Sequence, residues 1–136
     1  MEDADLLFIW RNDPVTRLGS HSDVEFDFES HLSWLKSSLA SQTRDLLIVE
    51  ENGLPVGTVR IDYPAVGVAA LSWTVAPEAR GRGVGKRMVR LAVEMIPASC
   101  IIRAEVKVEN TASIKVAEAA GLGLIGQEQG VLYYEK

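Results

Sequence analysis

Cysteine and histidine are scarce in this chain of 136 residues, with one and two copies respectively. The single cysteine, Cys100, excludes an internal disulfide, which fits the reducing environment of a cytoplasm. Its apolar neighbours predict that it is a small core residue. No histidine or acidic side chain stands near it at a metal-ligand spacing, so we predict no metal site.

Long apolar runs and an excess of positive charge are also absent. No stretch has the length needed to span a bilayer, and the acidic start Met1–Asp5 is unlike a signal peptide. We therefore expect a cytoplasmic protein with no membrane partner. The net charge of −5 argues against a nucleic-acid partner. The length and the hydrophobic content of 47% predict one globular domain, residues 1–136.

Glycine, in contrast, is concentrated after one predicted strand. The β-branched and aromatic run Leu71–Val75 predicts a strand that ends before Pro77. Three glycines then alternate with other residues over positions 81–85, and apolar residues recur at helical spacing from Val84. At such a junction, unpaired N–H groups and the positive end of the helix dipole point the same way. That arrangement favours a bound pyrophosphate.

Apolar spacing also predicts which faces of two helices are buried. The helix after the glycines is expected to bury Val84, Met88, Leu91 and Met95. An earlier helix, expected over Asp27 to Leu39, has its apolar positions at Phe28, Leu32, Leu35 and Leu39. A short first helix is expected to end at Asn12-Asp13-Pro14, and Val15 to Val24 is expected to be a loop.

The glycine segment fits neither of the two common phosphate-binding patterns. The Walker pattern fails at both ends, and the dinucleotide pattern fails where Lys86 replaces its last glycine. The segment Arg80-Gly81-Arg82-Gly83-Val84-Gly85, which follows Val75-Ala76-Pro77, instead resembles the pyrophosphate loop of the GNAT superfamily of acetyl-CoA-dependent N-acetyltransferases. The simpler alternative is a tight turn that leads into a helix with a basic, solvated end.

The resemblance implies acetyl-CoA as co-substrate and a set of residues that bind it. A second segment, 105–114, resembles the place where two parallel strands of the family splay apart and its last helix begins, so that the pantetheine arm can act as a substitute strand. The positions that match the family's cofactor contacts are Trp73, Thr74, Val75, Arg80, Gly81, Arg82, Gly83, Val84, Gly85, Lys86, Asn110, Ser113 and Lys115. An ordinary helix N-cap is the alternative role of Asn110.

The predicted order of elements is helix, helix, three antiparallel strands, helix, strand, helix and closing strands. This order predicts an α/β (α+β) fold, with a mixed, mostly antiparallel sheet flanked by helices. It matches the family except that the usual first edge strand is missing or short. An exposed sheet edge at that place would favour pairing between two copies of the chain, so a homodimer is one expectation.

The sequence assigns no catalytic residue. Many family members carry a tyrosine seven residues after the asparagine, where this chain has Ala117. The strand before the glycines also lacks the glutamate that many members carry. Tyr133 or Tyr134, Asp62, His31 or a water chain are the alternatives for proton transfer.

The first two helices are expected to hold the amine acceptor. Trp10 to Asp13 and His31 to Trp34 resemble the branch that acetylates nucleotide-linked amino sugars, which implies Arg11, Asn12, His31 and Trp34 as substrate contacts. The alternative is that the tryptophans and His31 are structural residues that do not contact the substrate. The predicted function is acetyl transfer to a primary amine of a small molecule. The alternatives are a protein N-terminal or peptide acetyltransferase and a non-catalytic acyl-CoA-binding module.

Overall fold

The computed structural model describes residues 4–13 and 27–136; the loop expected over Val15 to Val24 lies outside them. Helix α1 spans Ala4–Asn12 and helix α2 spans Phe28–Ala40. The side chain of Asp27 caps α2 by accepting a hydrogen bond of 2.7 Å from the backbone N–H of Ser30. Both helices therefore end within a residue or so of the predicted positions.

Six strands form one sheet in the order β1-β2-β3-β4-β6-β5. Their bounds are β1 Arg44–Glu51, β2 Leu54–Ala65, β3 Val68–Val75, β4 Ile101–Lys107, β5 Gly123–Glu128 and β6 Val131–Glu135. All neighbouring pairs are antiparallel except β3 and β4, which are parallel. The predicted mixed, mostly antiparallel sheet flanked by helices is confirmed.

The turns between the strands adopt conformations that their residues favour. Asn52 and Gly53 both have positive φ, 55° and 80°, at the β1–β2 hairpin. Two consecutive positive φ values match the twist of a tight hairpin, and Asn-Gly is the dipeptide that adopts them at least cost. The turn between β2 and β3 lies at Val66 and Gly67.

Two further helices complete the chain. A short 3-10 helix, Pro77–Ala79, links β3 to the glycine segment, and helix α3 follows over Val84–Met95. Helix α4 spans Thr111–Ala119, and Gly121, with φ 88°, ends it in the left-handed region. The predicted start of α3 at Val84 is confirmed.

The buried faces of α2 and α3 differ from the predicted ones. On α2 the buried residues are His31, Leu35 and Ser38, whereas Phe28 and Leu39 are exposed. Ser38 turns inward because it accepts a hydrogen bond of 3.0 Å from Arg44 on β1. Leu35 is buried and Leu32 packs partly buried against the core, so apolar spacing was right in the middle of the helix and wrong at its ends.

Helix α3 is rotated relative to its predicted face. Val84 and Met88 are buried as predicted, but Leu91 and Met95 are 56% and 65% exposed. Val89 and Ala92 take their place in the core, beside Gly85. The observed stripe suits close packing, because small residues let the helix approach the sheet and α4.

The two parallel strands pair over only part of their length. The β3–β4 ladder runs from Val68–Ile101 to Leu71–Ala104, although β3 continues to Val75 and β4 to Lys107. On its other side, β3 stays paired with β2 as far as Val75. The second half of β3 therefore presents one backbone edge to the gap between the diverging strands.

In the described chain, β1 and β5 form the outer edges of the sheet. A homodimer paired along an exposed edge stays a prediction, as does the assignment of residues 1–136 to one domain. None of the helices in the described ranges is long and apolar enough to cross a membrane.

Candidate active site

A cavity of about 780 Å³ opens where β3 and β4 diverge. Its wall joins three parts of the fold: the second half of β3 with the glycine segment and the start of α3, the end of β4 with the start of α4, and side chains of α1, α2, β1 and β2. Residues far apart in sequence thus share one space, which is large enough for a small organic ligand.

Glycine conformation shapes the cofactor end of this cavity. Gly81 and Gly83 both have positive φ, 82° and 72°, and Gly83 is the N-cap residue of α3. An L-residue with a Cβ is strained there, whereas glycine adopts the turn freely. The first N–H groups of α3 have no partner within the helix, and the cavity lies at this end of α3. The geometry is that of an anion site.

Gly85 has a different role from its neighbours. A Cβ at this position would lie 3.0 Å from Val116 on α4 and 3.2 Å from Val75 on β3. The absence of a side chain lets the first turn of α3 pack closely against both elements. This packing fixes the direction in which the N–H groups of that turn point.

Basic side chains around the loop are partly engaged by protein carboxylates. Arg80 forms an ion pair of 2.5 Å with Asp13, which follows α1, and Arg80 and Lys86 both line the cavity. Arg82 does not line it, since its guanidinium lies 3.6 Å from Glu51 on the β1–β2 hairpin. A direct contact between the side chain of Arg82 and the cofactor is therefore disfavoured by this geometry.

The gap between the strands is bridged by side chains. Trp73 on β3 donates from its indole nitrogen to the Ser113 hydroxyl at 3.2 Å, across the point where β3 and β4 separate. Asn110 accepts a hydrogen bond of 3.1 Å from the Ser113 N–H and thereby caps α4. The N-cap role is thus observed, while a role of Asn110 in cofactor binding stays a prediction.

Most residues expected to bind the cofactor meet in this one cavity. Of that set, the lining residues are Trp73, Thr74, Val75, Arg80, Gly81, Gly83, Val84, Gly85, Lys86, Asn110, Ser113 and Lys115. Of the four expected acceptor contacts, Arg11 and Trp34 also line it. Asn12 and His31 do not.

His31 lies behind Arg11, fully buried, rather than on the cavity wall. Its Nε2–H donates to the carbonyl of Ala4 at 2.9 Å, and its Nδ1 accepts from an Arg11 guanidinium nitrogen at 2.9 Å. Burial, with a smaller effect of the Arg11 charge, lowers the pKa of His31 below its ordinary value. His31 is therefore a neutral side chain that positions Arg11. Its expected direct contact with substrate stays a prediction, which its buried place behind Arg11 does not favour.

Arg11 is held between His31 and an aromatic face. Its guanidinium carbon lies 4.0 Å from the ring centre of Trp34, a cation–π contact. Burial and, to a smaller extent, the charge of Arg60 lower the pKa of Arg11 to about 10. The guanidinium remains charged at neutral pH and has a fixed orientation.

Two charged residues of the cavity wall were not predicted as site residues. Arg60 on β2 and Glu105 on β4 both line it. Arg60 lies on the face of β2 opposite the buried Val59 and Ile61. Alternation with buried residues also places Glu105 at an exposed position of β4, five residues before Asn110. The alternation could be read from the sequence, but the sequence did not show which exposed strand positions line the cavity.

The earlier candidates for proton transfer do not line the cavity. Tyr134 is buried in the core, where burial raises its pKa, and Ala117 is fully buried as well. Asp62 forms ion pairs with Arg44 at 2.5 Å and Arg60 at 3.0 Å.

Within residues 4–13 and 27–136, no group of three potential metal-ligating side chains occurs.

Comparison with known proteins gives a family and several structures of the same fold. The sequence matches the model of the acetyltransferase (GNAT) domain over residues 1–123. The structure is similar to ribosomal-protein-alanine N-acetyltransferase from Brucella melitensis, with a TM-score of 0.80, 25% identity and coverage of 99% of this chain and 94% of that one. No curated protein matches the sequence.

Two further similar structures were determined with a coenzyme bound. Aminoglycoside acetyltransferase AAC(6')-Ib, in complex with coenzyme A, has a TM-score of 0.84 at 20% identity, over 99% of this chain and 89% of that one. Campylobacter jejuni N-acetyltransferase PseH, in complex with acetyl coenzyme A, has a TM-score of 0.77 at 16% identity, over 99% and 89%.

The family model covers most of the chain, so the protein belongs to the GNAT acetyltransferase family. It is an acetyl-CoA-dependent N-acetyltransferase, and acetyl-CoA is its co-substrate.

Proposed function

We propose that the protein transfers the acetyl group of acetyl-CoA to a primary amine of a small molecule, with a nucleotide-linked amino sugar as the favoured acceptor. The observation that carries this proposal is the continuity of the cavity. One space extends from the glycine segment, along β3, to the Arg11 and Trp34 side chains. A donor and an acceptor can therefore meet beside the unpaired half of β3.

The cofactor end fits the phosphates and the pantetheine arm of acetyl-CoA. The N–H groups of the loop between Gly81 and Gly85, together with Lys86, suit the diphosphate. The main chain of Trp73 to Val75, which lacks a β4 partner, suits the pantetheine amides. Asn110, Ser113 and Lys115 face the same space from α4.

Glu105 is the candidate proton acceptor. Among the described residues that line the cavity, it is the one carboxylate. As the amine nitrogen bonds to the acetyl carbon and the carbon–sulfur bond breaks, the nitrogen loses a proton, which Glu105 takes directly or through water. The departing thiolate needs a proton in turn, and with Ala117 at the usual tyrosine position, water is the proposed source.

The acceptor end suits a substrate with hydroxyl or phosphate groups. Trp10 and Trp34 both line it, and Arg11, which covers one face of Trp34, supplies donors that such groups accept. The structural similarity to PseH agrees with this choice, although at 16% identity it concerns the fold. A peptide N-terminus is the near alternative, favoured by the 25% identity with the Brucella enzyme.

The test is release of free CoA from acetyl-CoA by the purified protein in the presence of amine panels. The panels are nucleotide-linked amino sugars, simple amino sugars, and peptides with a free N-terminus. Mass spectrometry of the products locates the added acetyl group. Release that requires an amino sugar supports the proposal, and release with peptides alone supports the alternative. Tight CoA binding without transfer to any amine would indicate a binding module.

A further inference from the structure

We propose that Arg11 and Arg60 bind an oxyanion of the acceptor, a carboxylate or a phosphate, so that the enzyme selects amines that also carry a negative group. This inference rests on the proposed function, because it concerns the acceptor of the same reaction. It names the chemical class of that acceptor and excludes polycationic amines as preferred substrates.

The charge of the cavity wall is opposite to that of the protein. The chain has a net charge of −5, yet its described cavity residues include five cations and one anion. The cations are Arg11, Arg60, Arg80, Lys86 and Lys115, and the anion is Glu105. A cavity with this imbalance attracts anions.

The diphosphate of the cofactor accounts for the cations at one end only. Arg60 donates to the hydroxyl of Ser72 at 3.3 Å, and Ser72 lies three residues before the end of β3 at Val75. At about 3.3 Å per strand residue, Ser72 is roughly 10 Å from the end of β3, and the glycine segment begins beyond that end, after the 3-10 helix. Arg60 therefore stands near the thiol end of the pantetheine site, where the acceptor must bind.

Arg11 is preorganised for such a contact. Its guanidinium carbon lies over the Trp34 ring, and a guanidinium nitrogen donates to the neutral His31, which is itself fixed by the carbonyl of Ala4. A guanidinium held in this way loses little conformational freedom when it binds an oxyanion.

Both guanidiniums line the same cavity, and the charge of Arg60 contributes to the lowered pKa of Arg11. Asp62 lies 3.0 Å from Arg60, but it also pairs with Arg44 and does not line the cavity. An oxyanion between Arg11 and Arg60 would offset their repulsion. The same charges lower the pKa of a bound ammonium group, which favours the neutral amine that must attack.

Binding of matched compounds to the CoA-saturated protein tests the inference, because CoA fills the diphosphate site. Glucosamine 6-phosphate is compared with glucosamine, and alanyl-alanine with its C-terminal amide, by calorimetry. The anionic member of at least one pair should bind about 10- to 100-fold more tightly, as expected for a charge-assisted hydrogen-bonded pair. The pair that responds distinguishes phosphate from carboxylate. Spermidine should bind weakly or not at all.

Variants assign the effect to its residues. Arg60→Gln should abolish the preference for the anionic member, and Arg60→Lys should restore part of it. Arg103→Gln removes an exposed arginine that pairs with Glu135 outside the cavity, so it should leave the preference unchanged. Equal or undetectable binding of both members in both pairs, or a preference that survives Arg60→Gln, would overturn the inference. CoA release with any amine tests the proposed function separately.

Discussion

A negative charge placed at Gly83 should weaken binding of acetyl-CoA, and an isosteric neutral residue should not weaken it to the same extent. Gly83 has φ 72° at the N-cap of α3. Asn and Asp are the non-glycine residues that tolerate this region best, and they have nearly the same shape. Gly83→Asp and Gly83→Asn therefore share the backbone cost and differ by one charge.

The structure sets the size of each effect. A Cβ at Gly83 would meet only the Arg87 guanidinium, at 3.5 Å, so there is room for either side chain. The left-handed backbone costs about 1 kcal/mol in both variants. At roughly 5 Å from a phosphate charge, Coulomb's law with a dielectric constant of 20–80 gives about 0.8–3 kcal/mol of repulsion. Because Gly83 is exposed, we expect the lower half of this range, about a tenfold difference in affinity.

Calorimetric titration with CoA measures the difference directly, and thermal unfolding checks that both variants are folded. The difference in CoA affinity between the two variants should decrease as the salt concentration is raised, since exposed charges are screened. If Gly83→Asp bound CoA as tightly as Gly83→Asn at low salt, the diphosphate could not lie at the N-terminus of α3. The assignment of the cofactor end of the cavity would then be wrong.

Three further predictions concern the rest of the molecule. Glu105→Gln should lower kcat by about 10²- to 10⁴-fold, because it removes the proposed proton acceptor, while Glu128→Gln on exposed β5 should not. An unchanged kcat in Glu105→Gln would exclude Glu105 as the base. The pKa of His31 in the folded state lies below the ordinary 6.5, so the unfolded state binds the proton more readily. The free energy of unfolding should therefore be at its full value above pH 6.5 and fall as the pH drops through and below that value. His31→Gln should weaken the dependence of the unfolding free energy on pH, as measured by denaturant titrations. An equally steep dependence in the variant would show that His31 is not its cause. Gly57→Ala should lower the free energy of unfolding by about 1–3 kcal/mol or more, because the added Cβ would lie 2.5 Å from both the Thr74 carbonyl oxygen and the Met88 sulfur. An unchanged free energy of unfolding would contradict this packing.

Local sequence predicted the elements that position the cofactor. The strand that ends at Val75, the break at Pro77 and the helix that begins at Val84 all lie where the pattern placed them. Strand, turn and helix signals act between residues a few positions apart, so they can be read without the rest of the fold. The same holds for Asn110 as the N-cap of α4.

Burial was predicted less well than secondary structure. Apolar spacing placed Leu91, Met95, Phe28 and Leu39 in the core, and all four are exposed. Which side of an amphipathic helix is covered depends on the elements that pack against it, and those come from distant parts of the chain. Ser38 shows the converse, since a hydrogen bond from Arg44 explains its burial.

The sequence by itself determined the glycine turn, its helix and the strand before it, because each is encoded by neighbouring residues. Only the tertiary structure decided which residues line the cavity together. It brought Arg60 and Glu105 to the wall, moved His31 behind Arg11, and paired Asp13 with Arg80 across 67 positions. Such contacts depend on strand order and helix packing, which no short stretch of sequence specifies.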